Sequence, residues 1–168
     1  MSIHREAGFF RAPTVEAAIR ELSKTGATAL GGGTDLVREM RRGTAAPAGL
    51  VMIGGLPQLR AIYCVDDRSD AGSLRIGAAA TLDEIASHPV VRERYAALAE
   101  AAESAASQQI RNVATLGGNL CQRPSCWYYR AGEGAEECVA RGGRSCAAEP
   151  GENEYHGIFP DGPCVAAH

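Results

Sequence analysis

Four cysteines in the last third of the chain, Cys126, Cys138, Cys146 and Cys164, are the residues whose type points most directly to chemistry. Thiolates are soft ligands for zinc and iron–sulfur clusters. The intervening stretches of 11, 7 and 17 residues contain no Cys-x-x-Cys. Common zinc-finger spacings therefore fail, as does the compact ferredoxin run. Spacing alone leaves a metal centre, free thiols in a loop, and disulfides all open. Two features favour a metal centre. Residues 121–168 hold glycine, proline, cysteine and charge without apolar periodicity, and a loop that long needs something to order it. Arg123, Arg130, Arg141 and Arg144 are interspersed; cations can offset the charge of four thiolates, and the same arginines also suit a solvated surface. Cys121 reads as a small buried thiol and Cys64 as a core residue of a strand.

Two glycine loops form the second chemical signal. Gly31-Gly32-Gly33-Thr34-Asp35 follows a short apolar run and precedes a short helical stretch. Without Cβ atoms, backbone N–H groups of such a loop can converge on a phosphate, and a following helix adds a favourable dipole. A tight turn is the other reading. The pattern is neither Gly-x-Gly-x-x-Gly nor a Walker loop. Thr115-Leu116-Gly117-Gly118-Asn119 is a second loop of this kind, in which Asn119 offers both a donor and an acceptor. Two polar glycine loops in different parts of the chain suggest a ligand held between lobes.

These loops need elements to position them. Residues 13–25 read as a helix with Thr14 as N-cap, Gly26 as stop, and Val15, Ala18, Ile19 and Leu22 as its apolar stripe. Ala27–Leu30 reads as a buried strand, Leu36–Arg42 as a helix and Leu50–Ile53 as a second buried strand, together a small α/β unit. Ala61–Val65 and Ser73–Ala78 read as strands joined by the polar turn Asp66–Asp70. Thr81-Leu82-Asp83-Glu84 has the form of a capping box. His88-Pro89 interrupts that helix. An alanine-rich helix follows over 90–106, with Val91, Tyr95, Leu98 and Ala102 on one face, and Ile110–Val113 is expected to be extended.

Composition sets the outer limits. Apolar residues make up 45 % and charged residues 22 % of 168, the balance of a globular chain able to bury a core. A net charge of −3 and 5 % aromatics give no footprint for nucleic acid. No apolar run approaches the ~18 residues needed to span a bilayer. The first residues carry no secretory signal, so the cysteines are read as thiols in a reducing, cytoplasmic setting. A periplasmic location stays open if a partner carries the export signal. No serine–histidine–acid set stands out, and no residue is assigned acid–base catalysis.

Ala29–Leu36 and Gln109–Leu120, taken as an ordered pair of motifs, resemble the FAD-binding subunits of molybdenum hydroxylases, the family of xanthine dehydrogenases, carbon monoxide dehydrogenases and aldehyde oxidoreductases. The resemblance implies an α/β (α+β) fold, with two small lobes of a VAO/PCMH-like FAD-binding domain at 1–55 and 56–120 and an irregular cysteine-rich loop at 121–168. It implies FAD contacts from Gly31, Gly32, Gly33, Thr34, Asp35 and Leu36, from Thr115, Gly117, Gly118 and Asn119, and from the Thr81 region. Gln122–Arg130, Gly151–Phe159 and Gly162–Cys164 are similar to one branch, that of periplasmic aldehyde oxidoreductases and 4-hydroxybenzoyl-CoA reductases. There an inserted loop binds a [4Fe–4S] cluster, and the resemblance assigns Cys126, Cys138, Cys146 and Cys164 as its ligands. The function it implies is an oxidoreductase subunit that passes electrons from a molybdopterin-binding large subunit and a [2Fe–2S] small subunit through FAD to an acceptor. Nucleic acid and membrane are not expected partners. Family subunits continue well beyond the equivalent of His168, so the sequence is expected to be the front of a longer chain, inactive alone and less heat-stable than a longer version. The competing expectation is a non-enzymatic interaction subunit held together by zinc or disulfides. A related flavin oxidase without molybdenum partners is a third, against which the cysteine loop argues.

Overall fold

The structure is a computed structural model that describes residues 8–65, 73–131, 137–159 and 162–166. It divides into two compact units, Met1–Cys121 and Gln122–His168.

The first unit is mixed α/β. It opens with β1 (Gly8–Arg11), α1 (Val15–Leu22), β2 (Ala27–Leu30), α2 (Leu36–Arg41) and β3 (Gly49–Met52). The three strands form a parallel sheet in the order β1-β3-β2, with Phe9 opposite Leu50 and Thr28 opposite Leu50 on the other side. The sequence reading contains no β1. Gly-Phe-Phe-Arg is too short to show a period, and its strand character comes from pairing with β3. Thr14 caps α1 by accepting from the Ala17 N–H at 3.2 Å; the helix ends at Leu22 with Ser23 as its C-cap, short of the expected stop at Gly26, which with φ +79° instead turns the chain into β2. The buried face of α1 is Ala17 and Ala18; Ile19, expected in the stripe, is 59 % exposed. Ala18 joins Ala12, Val51 and Leu56 in a core cluster flanked by Val15 and Leu22. The two expected buried strands are only partly so, because β2 lies at a sheet edge and only Leu30 of it is buried.

After the 3-10 turn Pro57–Leu59, β4 (Ile62–Val65) and β5 (Ser73–Ile76) pair antiparallel. The predicted turn at Asp66–Asp70 lies outside the described residues. Then come α3 (Leu82–Ser87), α4 (Pro89–Arg94), α5 (Ala96–Ser104), α6 (Gln108–Arg111) and α7 (Leu116–Leu120). The alanine-rich helix is two helices, since Tyr95 leaves the helical region (φ −135°, ψ 49°) while its side chain packs on the core. Residues 110–113 are not extended: the Ser107 hydroxyl accepts from the Ile110 N–H and caps α6. A second core cluster gathers Ala80, Ile85, Ala86, Val91, Ala99 and Ala102, with Ile62, Leu74 and Ile76 packed against it. Cys64 is not a core residue. It is exposed, because β4 and β5 form a two-stranded ribbon whose core contacts come from Ile62, Leu74 and Ile76.

The second unit has little regular structure: α8 (Trp127–Arg130) and a 3-10 turn at Val139–Arg141. Its buried apolar residues among those described are Tyr129 and Ala148.

Candidate functional site

The glycine loops of the first unit meet. A Cβ on Gly31 would lie 2.7 Å from the Thr115 hydroxyl, and one on Gly32 would fall on the Val113 carbonyl oxygen. Gly54 approaches the same place, where an added Cβ would be 3.1 Å from the Gly31 carbonyl. Absent side chains here serve first to let two chain segments touch. The third predicted element joins them, because Thr81 and Thr115 form an antiparallel bridge. The Leu82 N–H donates to the Ala114 carbonyl and the Leu116 N–H to the Ala80 carbonyl, both at 2.9 Å. Thr81 and Thr115 are buried.

The two loops differ in what they offer a ligand. In the first, the N–H groups of Gly32, Gly33 and Thr34 have no acceptor among the described residues. Gly33 is left-handed at φ +75°. A groove of about 480 Å³ runs alongside, lined by Gly33, Thr34, Val37, Arg38, Arg41 and Arg42. Open N–H groups next to guanidinium groups make an anion-binding arrangement. Asp35 pairs with Arg38 at 2.5 Å, and Leu36 begins α2 half-buried. In the second loop the N–H groups are already used. Gly117 donates to Ala78, Gly118 to the Thr115 hydroxyl and Asn119 to the Thr115 carbonyl. The half-buried Asn119 carboxamide has no partner among the described residues. A ligand there would meet the Asn119 side chain and the exposed Cα face of Gly118, not a row of N–H donors.

Glu84 ties this region to the first turn of α3. Its carboxylate accepts from the Thr81 N–H at 2.8 Å and pairs with Arg60, while its own N–H donates to the Thr81 hydroxyl at 3.1 Å. Burial pushes the Glu84 carboxyl up, but the Thr81 N–H, Arg60 and the Thr81 hydroxyl outweigh it and hold the pKa below its usual value.

In the second unit Cys126, Cys138, Cys146 and Cys164 all line one cavity of about 120 Å³. Each is half-buried, and all six cysteines of the chain are unpaired thiols. Cys126 caps α8, its sulfur accepting from the Tyr129 N–H at 3.5 Å. Cys138 bridges to Ser145, and a turn closed by Gly142 at φ +91° brings Cys146 back beside it. The Gly157 N–H donates to the Val165 carbonyl at 2.8 Å and ties down the chain beside Cys164. Tyr128 pins a further turn: its hydroxyl accepts from the Glu152 N–H at 2.8 Å, and a Cβ on Gly151 would lie 2.5 Å from it. Among the described residues no three His, Cys, Asp or Glu side chains are close enough to share a single metal ion.

Other expectations need correction. Cys121 is exposed at the end of α7, not a buried thiol. Arg141 and Arg130 work on the backbone. Arg141 donates to the Tyr129 carbonyl at 2.6 and 2.9 Å and lies 4.7 Å over the Tyr129 ring, and Arg130 donates to the Pro124 carbonyl at 3.0 Å. Neither lines the cysteine cavity. The sequence reading gives no site role to Arg38, Arg41 and Arg42 beside the first loop, nor to His156, which it places in the Glu-Asn-x-x-His stretch without a catalytic part and which lines the cysteine cavity. The i, i+3, i+4 spacing of three arginines on a helix behind a glycine loop was the available signal.

A profile of the family described as "FAD binding domain in molybdopterin dehydrogenase" matches residues 5–131. The chain is 36 % identical over 155 residues to the aldehyde oxidoreductase FAD-binding subunit PaoB of Escherichia coli (strain K12), covering 91 % of this chain and 46 % of that protein. To the xanthine dehydrogenase FAD-binding subunit of Escherichia coli O157:H7 it is 39 % identical over 116 residues, 68 % of this chain and 38 % of that protein. Among solved structures, carbon monoxide dehydrogenase from Hydrogenophaga pseudoflava, in a form lacking the Mo-pyranopterin moiety, superposes with TM-score 0.64 at 30 % identity over 71 % of this chain and 40 % of that one. The chain thus spans less than half the length of these relatives. A match covering 91 % of 168 residues has to run through Cys126, Cys138 and Cys146, whereas the family profile stops at residue 131.

Proposed function

The chain belongs to the FAD-binding domain family of molybdopterin dehydrogenases, and from that premise we propose that it is part of the FAD- and [4Fe–4S]-binding electron-transfer subunit of a molybdenum-dependent hydroxylase. The subunit would take electrons from a molybdopterin-binding large subunit and a [2Fe–2S] small subunit and deliver them, by way of its flavin, to an external acceptor. Bound FAD and a bound cluster supply the redox chemistry; the chain's own residues hold, orient and electrostatically tune them.

For FAD, the residues present fit. The free N–H groups of Gly32, Gly33 and Thr34 suit a pyrophosphate, with Arg41 and Arg42 alongside. Asp35 and Leu36 shape the start of α2. Gly31, Thr81, Thr115 and Gly117 act indirectly, by packing the two loops together, while Gly118 and Asn119 offer a surface and a carboxamide. The lobes 1–55 and 56–120 are proposed as the two walls of this site.

For the cluster, the carrying observation is that the four thiols lie around one cavity, with Cys126, Cys138, Cys146 and Cys164 as the ligands. The test is metal and flavin analysis of the full-length subunit purified anaerobically with its partners. The expected result is about four irons per chain on this centre, with broad visible absorption and one FAD. Serine at any one of the four positions should lower the iron content, while Cys64→Ser and Cys121→Ser should not. A colourless unit with one zinc, or with two disulfides, would overturn the assignment in favour of a structural interaction module.

A further inference from the structure

We propose that His156 donates a hydrogen bond to the thiolate-held centre in the cysteine cavity and thereby raises its reduction potential. The inference rests on the iron–sulfur reading above and adds a residue to it.

The His156 ring lines the same cavity as the four thiols. Both ring nitrogens are excluded from solvent, and neither has a hydrogen-bond partner among the described residues. A buried donor or acceptor left unsatisfied is destabilising, so two on one ring call for a partner. The ring is held in place. Trp127 meets it edge-on with centroids 5.2 Å apart, and Tyr128 lies tilted at 6.4 Å. The main chain is fixed on both sides, by the His156 N–H to the Asn153 carbonyl at 2.9 Å and the Gly157 N–H to the Val165 carbonyl at 2.8 Å.

The rest of the lining narrows what that partner is. Among the described lining residues, His156 alone carries a nitrogen donor in its side chain. The Ser145 hydroxyl is directed to the Glu137 carbonyl, and the Tyr128 hydroxyl accepts from Glu152. Four of the side chains that share the cavity with the imidazole are cysteine thiols. A neutral imidazole always carries one N–H, and an N–H aimed at a thiolate or sulfide favours the more negative, reduced state of the centre. Arg130 and Arg141, two of the four arginines of this segment, donate to backbone carbonyls.

The test is an EPR-monitored redox titration of the assembled enzyme at one fixed pH, with the partner centres as internal references. His156→Phe keeps a ring against Trp127 but removes the donor; His156→Gln keeps an N–H. The Phe variant should retain its iron while reduction of this centre becomes about tenfold less favourable, a drop of about 59 mV for one electron. The Gln variant should stay close to the wild-type potential. An iron-loaded Phe variant at the wild-type potential overturns the inference and leaves the iron–sulfur reading intact. If the Phe variant does not load, the Gln variant decides: iron-loaded at the wild-type potential supports the donor role, and a lowered potential overturns it. Wild-type protein without iron removes the underlying reading instead.

Discussion

At the scale of single residues, the Thr81–Glu84 pair shows how a local rule becomes a part of the site. The capping box satisfies two backbone N–H groups at the start of α3. It also fixes Thr81 where its backbone bridges Thr115. Thr81→Ala should cost about 1 kcal/mol of stability in chemical denaturation and should weaken FAD retention through the displaced bridge. Glu84 adds a pH dependence of defined sign. Its folded pKa lies below the unfolded value, so its contribution is complete above the unfolded pKa and is lost as pH falls through the folded one. Denaturation midpoints of Glu84→Gln and the parent chain should therefore differ near neutrality and converge in acid; a gap that persists in acid would refute the linkage. The effect should be modest, since the carboxylate is more than a third exposed.

At the scale of elements, the glycine loop after β2 is a packing device as well as a ligand surface. Gly32→Ala places a methyl group on the backbone of Val113, which cannot swing aside as a side chain would. This substitution should lower the thermal midpoint and abolish flavin retention. Gly55→Ala, where an added Cβ meets nothing within 4 Å, should leave both unchanged. Equal behaviour of the two variants would show that the loops need not touch. The helical layer has its own anchor in Ile85, fully buried between α3, α5 and the β4–β5 ribbon. Ile85→Ala should cost about 2–5 kcal/mol by denaturant titration.

At the scale of the whole molecule, the two units are built on different principles. The first has two apolar clusters and two sheets. The second has little buried apolar surface among its described residues and is tied by arginine-to-carbonyl bonds, tight turns and a cavity edged with thiols. A unit so small seldom folds on its core alone and commonly uses a metal as a staple. With the proposed cluster as that staple, iron chelation should speed amide hydrogen exchange across 137–159 while amides of β3 and α3 stay protected. Uniform protection of both regions after iron loss would show that the metal does not order the second unit.

Much of this was legible in the chain itself, because the signals were local. Thr14, Thr81, Glu84 and the His88-Pro89 break act within one helical turn, and each does what its residue type dictates. The glycine motifs, read as an ordered pair, carried the family. What the chain could not show was the outcome of contacts between distant segments. β1 exists only because β3 accepts it. Cys64 and Cys121 look like any small apolar residue until the surfaces around them are known to be open. The second glycine loop has its N–H groups consumed by Ala78 and Thr115, a fact that no motif encodes. Residue type and short-range spacing determined the caps, the turns and the set of thiols. Only the tertiary structure decided which backbone groups stay free, and which side chain, His156, is shut from solvent at the cavity the cysteines line, because hydrogen-bond supply and solvent exclusion belong to the folded chain and not to any stretch of it.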